Sequence, residues 1–297
     1  MPKKILAVRR ATCFSPGAAN RDEAIFSSVV SRLCRCGHEV STLQEDFFIS
    51  PDLSAFDCVF SMARSRRVVA DLAVAEAEGL PVYNSAIALQ TLHRAYVAER
   101  LGEAGVHLPP LVAVNPSEGL PAELPSSTLS GQTSRFWIKR ADECSQSAAD
   151  IRAVSQVEEL ASVLSDFATR HILRVLIESH VEGTPIKFYG VGGGRFFSVH
   201  LASTLGYEKF GIACANDLPL PPAFSEEDLQ TQAELAAEVL GLTIYGGDAI
   251  VTPSGEAYII DFNDWPSFAP CRKAAAKAIA LLAADETLHP AANSLSV

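Results

Sequence analysis

Between Tyr245 and Phe268 the sequence reads YGGDAIVTPSGEAYIIDFNDWPSF, and three of its side chains carry oxygens suited to holding a cation. Asp261 and Asn263 lie two apart in a stretch of strand character, so they leave the same face of a sheet. Pro253-Ser254-Gly255 turns the chain between two strands, and Asp248 on the earlier strand reaches that face. Two carboxylates and an amide oxygen are hard donors of the kind Mg²⁺ prefers, with phosphate and water completing its shell. The plainer alternative is that Asp248 caps a strand while Asp261 and Asn263 solvate a turn. The apolar run Ala257 to Ile260 weighs against it, because a carboxylate following such a run lies beside the core and needs a partner.

Basic residues stand at the ends of other predicted strands. Lys139 closes the apolar strand Phe136-Trp137-Ile138, Arg64 follows directly on the strand Cys58 to Met62, and Lys187 precedes a Val-Gly turn. Arg64 falls on the ligand-binding edge of its sheet, where a guanidinium suits bidentate recognition of carboxylate or phosphate. Arg66 and Arg67 are equally well read as the solvated start of a helix. Arg195 and His200, after the glycine turn, point either into the same cleft or into solvent, and the sequence does not decide.

The elements that must position these residues follow from periodicity. Strands at Ile5 to Val8, Val40 to Leu43, Cys58 to Met62 and Pro81 to Asn84 alternate with helices at Arg21 to Cys36 and Val68 to Glu78, which stop at Gly37 and Gly79. That alternation predicts a mostly parallel sheet with ligands at its carboxyl edge. A single helix is expected from Ser85 to Gly102, then an irregular Pro-rich connection from Leu108 to Pro125. Beyond Arg135 the pattern changes to strand, helix Val157 to Thr169, strand Leu173 to Glu178, two strands joined through Gly192-Gly193-Gly194, helix Glu226 to Leu240, the hairpin, and a last helix from Arg272 to Ala283.

At 297 residues and 48% hydrophobic, the chain can form two or three packed lobes. The net charge of -11 argues against a nucleic-acid partner, since phosphate backbones are bound by neutralising them. No apolar run reaches membrane-span length and MPKKILAVRR lacks a signal-peptide core, so a cytoplasmic location without a membrane partner is expected. The seven cysteines show no zinc or redox spacing and are expected as thiols.

The hairpin resembles the closing hairpin of the ATP-grasp superfamily, in which an Asp on one strand and an acidic-x-Asn pair on the next bind the two magnesium ions that bridge the ATP phosphates. Most ligases of that superfamily carry Glu-x-Asn. Asp261-Phe262-Asn263 followed by Trp265-Pro266 is closer to the inositol polyphosphate kinases on the same fold. The resemblance spans about Lys139 to Phe268 and implies further roles: Lys139 contacts the α- and β-phosphates, and Arg94 is another nucleotide-contacting cation. Residues 142–149, with Ser145 and Ser147, occupy the place of the family's glycine-rich phosphate loop but contain no glycine. Glu178, Ser179, His180 and Val181 correspond to the adenine-binding hinge, and Glu182 to a ribose acceptor. Lys187 stands where glutathione-synthetase-like ligases carry Arg and the kinases carry Lys.

The implied fold is mixed α/β and α+β. It comprises an N-terminal parallel lobe over residues 1–84, ATP-grasp lobes over 85–178 and 179–285, and a tail over 286–297. The implied cofactors are ATP and Mg²⁺, and the partner is a small anionic acceptor. Base rate within the fold favours a carboxylate-amine ligase working through an acylphosphate, with Lys187 and Arg64 as catalytic residues. A small-molecule kinase, which Asp261 and Lys187 favour, and a degenerate nucleotide-binding protein, which the glycine-free loop suggests, are the alternatives.

Overall fold

The computed structural model describes residues 1–15, 17–49, 51–125, 135–142, 147–202 and 220–284. Three four-stranded sheets organise it. The first joins β1 (Lys4–Arg9), β2 (Glu39–Gln44), β3 (Cys58–Ser61) and β4 (Val82–Tyr83) in the parallel order β2-β1-β3-β4. β1 and β3 read as near-continuous apolar runs because both their faces are covered, while the edge strand β2 is more polar and has no fully buried residue. On one side α1 (Ala19–Arg35) inserts Ile25, Phe26, Val29 and Leu33, and on the other α2 (Arg66–Ala77) inserts Val68 and Leu72.

The single helix expected from Ser85 is two helices, α3 (Ala86–Leu89) and α4 (Arg94–Glu103). Two side chains cap within this segment. The Ser85 hydroxyl accepts from the Ala88 amide at 3.2 Å, and the His93 imidazole accepts from the Tyr96 amide at 3.2 Å. The second cap starts a fresh helix and brings Arg94 to its first turn.

The second sheet is antiparallel, β5-β8-β6-β7, built from β5 (Leu111–Val114), β6 (Phe136–Arg140), β7 (Ile151–Val154) and β8 (Val175–Ser179). β5 lies inside the passage read as irregular, and β7 was not anticipated. Phe136, Ile138, Val175 and Ile177 pack on α5 (Val157–Thr169), which turns Trp137, Lys139 and Glu178 to the opposite face.

The third sheet, β10-β9-β11-β12, contains β9 (Thr184–Val191), β10 (Phe196–Leu201), β11 (Ile244–Val251) and β12 (Ala257–Asp264). Its apolar face, with Ile186, Phe188, Tyr245, Ala249 and Phe262, lies against α6 (Glu226–Val239). The last helix, α7 (Arg272–Leu281), enters the core shared with α1 and β1. Asn84, 1% exposed, joins the first and third sheets: its Nδ2 donates to the Ile244 carbonyl at 2.6 Å, and its Oδ1 accepts from the Thr243 and Ile244 amides at 2.9 and 2.6 Å. No helix among the described residues is long and apolar enough to cross a membrane.

Candidate active site

The antiparallel register of the third sheet sets Lys187 of β9 opposite Asp248 of β11, and Asp248 opposite Asp261 of β12. Directly opposed residues share a sheet face, so the three side chains form one row. Asn263, two residues along, shares it, and its Nδ2 donates to Asp261 Oδ2 at 3.2 Å. The register holds because a bulge between Asp248 and Ala249 takes up Ile260 as an extra residue on β12. Gly247 has a backbone reason for being glycine: a Cβ there would stand 2.3 Å from the Asp261 carbonyl oxygen and 2.4 Å from Phe188 Cζ.

Like charges placed directly opposite on paired strands repel, and the structure flanks these two with cations. Lys187 Nζ pairs with Asp248 Oδ1, and Arg94 reaches Asp261 Oδ1 at 3.6 Å from the start of α4. Among the described residues, no group of three or more His, Cys, Asp or Glu side chains is arranged to hold a metal. Two opposed carboxylates and an amide oxygen on one face nevertheless fit a hard dication that takes its remaining ligands from phosphate and water.

Across the cleft, Lys139 is 7% exposed, and its ammonium donates to Glu178 Oε1 at 2.7 Å and to the Ile260 carbonyl at 3.0 Å. It therefore joins the second sheet to the bulge of the third. Burial pushes the Glu178 carboxyl up from its ordinary range, while Lys139 and then Arg94 draw it back and Asp261 adds to the rise. Arg94 also donates to the Arg140 carbonyl at 2.6 Å. Arg64, Arg94, Glu178, Asp261, Asn263 and Asp264 line one cleft together with apolar residues of α4 and β12.

The residues expected to form the hinge begin inside β8, whose last residue is Ser179. Ser179 and His180 have committed their amides, to the Pro110 carbonyl at 2.8 Å and the Arg135 carbonyl at 3.0 Å. The His180 ring accepts the Trp137 indole N-H at 3.1 Å, and its pKa is lowered by burial and then by Arg135. Val181 is buried and Glu182 exposed. Ser147 begins a short turn of helix, its amide bonded to Asp150 Oδ2 at 3.0 Å, while Ser145 lies outside the described residues.

Arg64 stands at the carboxyl end of β3 and pairs with Asp264, which is 3% exposed. Sequence reasoning passed over Asp264 and also Arg10, whose guanidinium meets Asp264 at 3.6 Å, Asp22 at 3.0 Å and the Met62 carbonyl at 3.0 Å. Burial foremost, and then Arg64, lower the Arg10 pKa, while Asp264 and Asp22 oppose the fall. Glu45 was passed over as well; its carboxylate accepts from the amides of Ala11 at 2.7 Å, Arg64 at 2.7 Å and Ser65, clamping the loops after β1 and β3. The rule that singled out Arg64, a charged residue at the carboxyl end of a parallel strand, applies equally to Arg10 and Glu45.

The fold is similar to that of D-alanine--D-alanine ligase from Bacillus anthracis, with a TM-score of 0.64 at 13% identity over 93% of this chain and 94% of that one. That ligase is also known complexed with ATP. A RimK domain protein ATP-grasp from Sphaerobacter thermophilus superposes with a TM-score of 0.61 at 16% identity, covering 95% of this chain and all (100%) of the other. The chain has the ATP-grasp fold. VanG D-Ala:D-Ser ligase from Enterococcus faecalis is similar too, with a TM-score of 0.62 at 16% identity over 95% of this chain and 99% of that one. No protein-family model and no curated protein sequence matches this chain.

Proposed function

We propose that this chain is an ATP-dependent ligase that activates a small-molecule carboxylate as an acylphosphate and joins it to an amine. The observation that carries the reading is the row of Lys187, Asp248 and Asp261, closed by Arg94 and faced by the Lys139 and Glu178 pair. Similarity to structures named as ligases supports the reaction class. The working parts would be an acceptor-side lobe over 1–84 and nucleotide-binding lobes over 85–178 and 179–285. Magnesium on Asp248, Asp261 and Asn263 would neutralise charge on the ATP phosphates and on departing ADP.

The chain's own residues do the rest. Lys139, held by Glu178, presents a fixed charge to the α- and β-phosphates, and Arg94 adds a second from the start of α4. With the Ser179 and His180 amides already bonded, base recognition falls to Val181, while Glu182 accepts from ribose hydroxyls. Lys187 follows the transferred phosphoryl group, and Arg64 orients the acceptor carboxylate with its planar fork of donors.

The test measures ADP and free phosphate with pooled amino acids and with pooled inositol phosphates. A ligase releases both in equal amounts when its acceptor and amine are present. ADP without free phosphate would instead assign hydroxyl phosphorylation, the reading that Asp261 and Lys187 favour. Absence of Mg-ATP binding by the intact protein overturns both.

A further inference from the structure

We propose that His200 is a catalytic proton carrier at the acceptor end of the site, an inference that rests on the ligase reading above. The β9 and β10 register sets His200 directly opposite Lys187. Its ring therefore leaves the same face as Lys187, Asp248 and Asp261, and the row continues onto a fourth strand. Neighbouring strands lie about 4.8 Å apart, so His200 stands about 10 Å from Asp248 across the sheet. On the ligase reading, Asp248 and Asp261 would hold the metal at the nucleotide phosphates, and Lys187, the next step along the row, would meet the transferred phosphoryl group. His200, one further step along the row, would then face the amine as it approaches the acyl carbon from the side away from Arg64.

The half-buried ring has polar and aromatic neighbours that fix its orientation. Its Nε2 lies 3.2 Å from Ser198 Oγ, a hydroxyl that both donates and accepts, and its edge meets the Tyr189 ring at 6.0 Å between centroids. The groups facing it are Lys187 and Tyr189 of β9, Asp248 beyond Lys187, and the Cys271 thiol at the start of α7, which bonds Ser198.

The chemistry balances without another reactant. The amine nitrogen bonds to the acyl carbon, the carbon-oxygen bond to phosphate breaks, and phosphate leaves with the electron pair. The amine gives up one proton and the phosphate product carries one. His200 takes that proton from nitrogen and returns it to a phosphate oxygen, which requires contact with both.

Inorganic phosphate titrated into the MgADP complex of the full chain tests the contact, in the wild-type protein and in His200→Gln. Imidazole C2 proton resonances are followed, and the signal missing from the variant identifies His200 among the seven histidines. MgADP affinity should agree within about twofold, while phosphate binding should weaken about tenfold in the variant, the effect of losing one charged hydrogen bond. In the wild type the His200 signal should shift with phosphate and stay in place with MgADP alone. A ring that only packs on Tyr189 and Ser198 gives no such dependence. Equal phosphate affinity in the two proteins, or a signal unmoved by phosphate, overturns the proposal. Failure of the wild type to bind MgADP overturns the ligase reading and His200 with it. Should His200→Gln not fold, His200→Asn takes its place for both the assignment and the affinity comparison.

Discussion

Replacing Asp264 with Asn asks whether a buried charge cluster joins the N-terminal sheet to the hairpin. Asp264 is 3% exposed, pairs with Arg64, and lies 3.6 Å from Arg10. Removing one member of a buried ion pair costs about 3 to 5 kcal/mol. Here Arg10 keeps Asp22 at 3.0 Å and the carbonyls of Met62 at 3.0 Å and Trp265 at 3.3 Å. The Arg64 side chain is 21% exposed and turns partly to water. The expected loss is therefore at the lower end, about 3 kcal/mol, a sizeable part of a total stability of about 5 to 15 kcal/mol. Arg64→Gln should cost less, about 1 kcal/mol, because Asp264 retains Arg10. The double variant should fall short of additivity by about 1 kcal/mol or more. Urea unfolding followed by tryptophan fluorescence measures all three, since Trp265 is buried next to Asp264. An Asp264→Asn variant within about 0.5 kcal/mol of wild type, together with an additive double variant, refutes the cluster as the joint between lobes.

Asp261→Asn should abolish Mg²⁺-dependent turnover while circular dichroism stays native, and retained turnover removes the metal assignment. Lys139→Met should weaken Mg-ATP binding at least tenfold by calorimetry, the scale of a charge-assisted phosphate contact, and unchanged affinity removes the phosphate role. Glu76 is 6% exposed, and burial raises its carboxyl above 4.5 although it accepts from the Ile87 amide at 2.9 Å. A raised folded-state pKa gives stability that is complete below about 4.5 and lost as pH rises through the folded value. Wild type should thus lose stability relative to Glu76→Gln between acid and neutral pH, and a difference constant over that window would contradict the assignment.

What was legible in advance is what local sequence encodes. The parallel lobe announced itself through apolar runs punctuated by Gly37 and Gly79, and the hairpin through alternation, a Pro-Ser-Gly turn, and Asp261 and Asn263 two apart. The break before Arg94 was hidden because His93 caps α4, and histidine is not among the favoured N-caps. β5 was hidden by Pro109 and Pro110 just before it, a tolerable arrangement for an edge strand. β7 is four residues with two of them exposed, too short and too polar for periodicity to register. The bulge at Ile260 leaves no sequence signal, yet it sets Asp248 opposite Asp261. Asp264 and Arg10 escaped for another reason: they meet across 254 positions of sequence (264 minus 10), and only the fold brings them together.

The charges in and around the cleft would make a further demand on a ligand. Arg10 has Asp22, Arg64 has Asp264, Arg94 has Asp261, Lys139 has Glu178 and Lys187 has Asp248. A chain of net charge -11 thus presents a site in which each cation is matched by an acid, which resolves the conflict between an acidic protein and an anionic ligand. On the function proposed above, such a site would admit a neutral guest by exchange of partners, with Asp248 and Asp261 turning to magnesium and Lys187 and Arg94 to phosphate. A nucleotide triphosphate with its magnesium ions adds little net charge, whereas either alone leaves buried charge unmatched at a cost of several kcal/mol. Mg²⁺ and ATP should therefore bind as a coupled pair, each raising the other's affinity by the same factor, about a hundredfold. Calorimetric titration of ATP with and without Mg²⁺, and of Mg²⁺ with and without ATP, measures both factors. Tight ATP binding in the presence of a chelator would mean that Lys187 and Arg94 are not released from their carboxylates by the metal, and the exchange of partners would have to be abandoned.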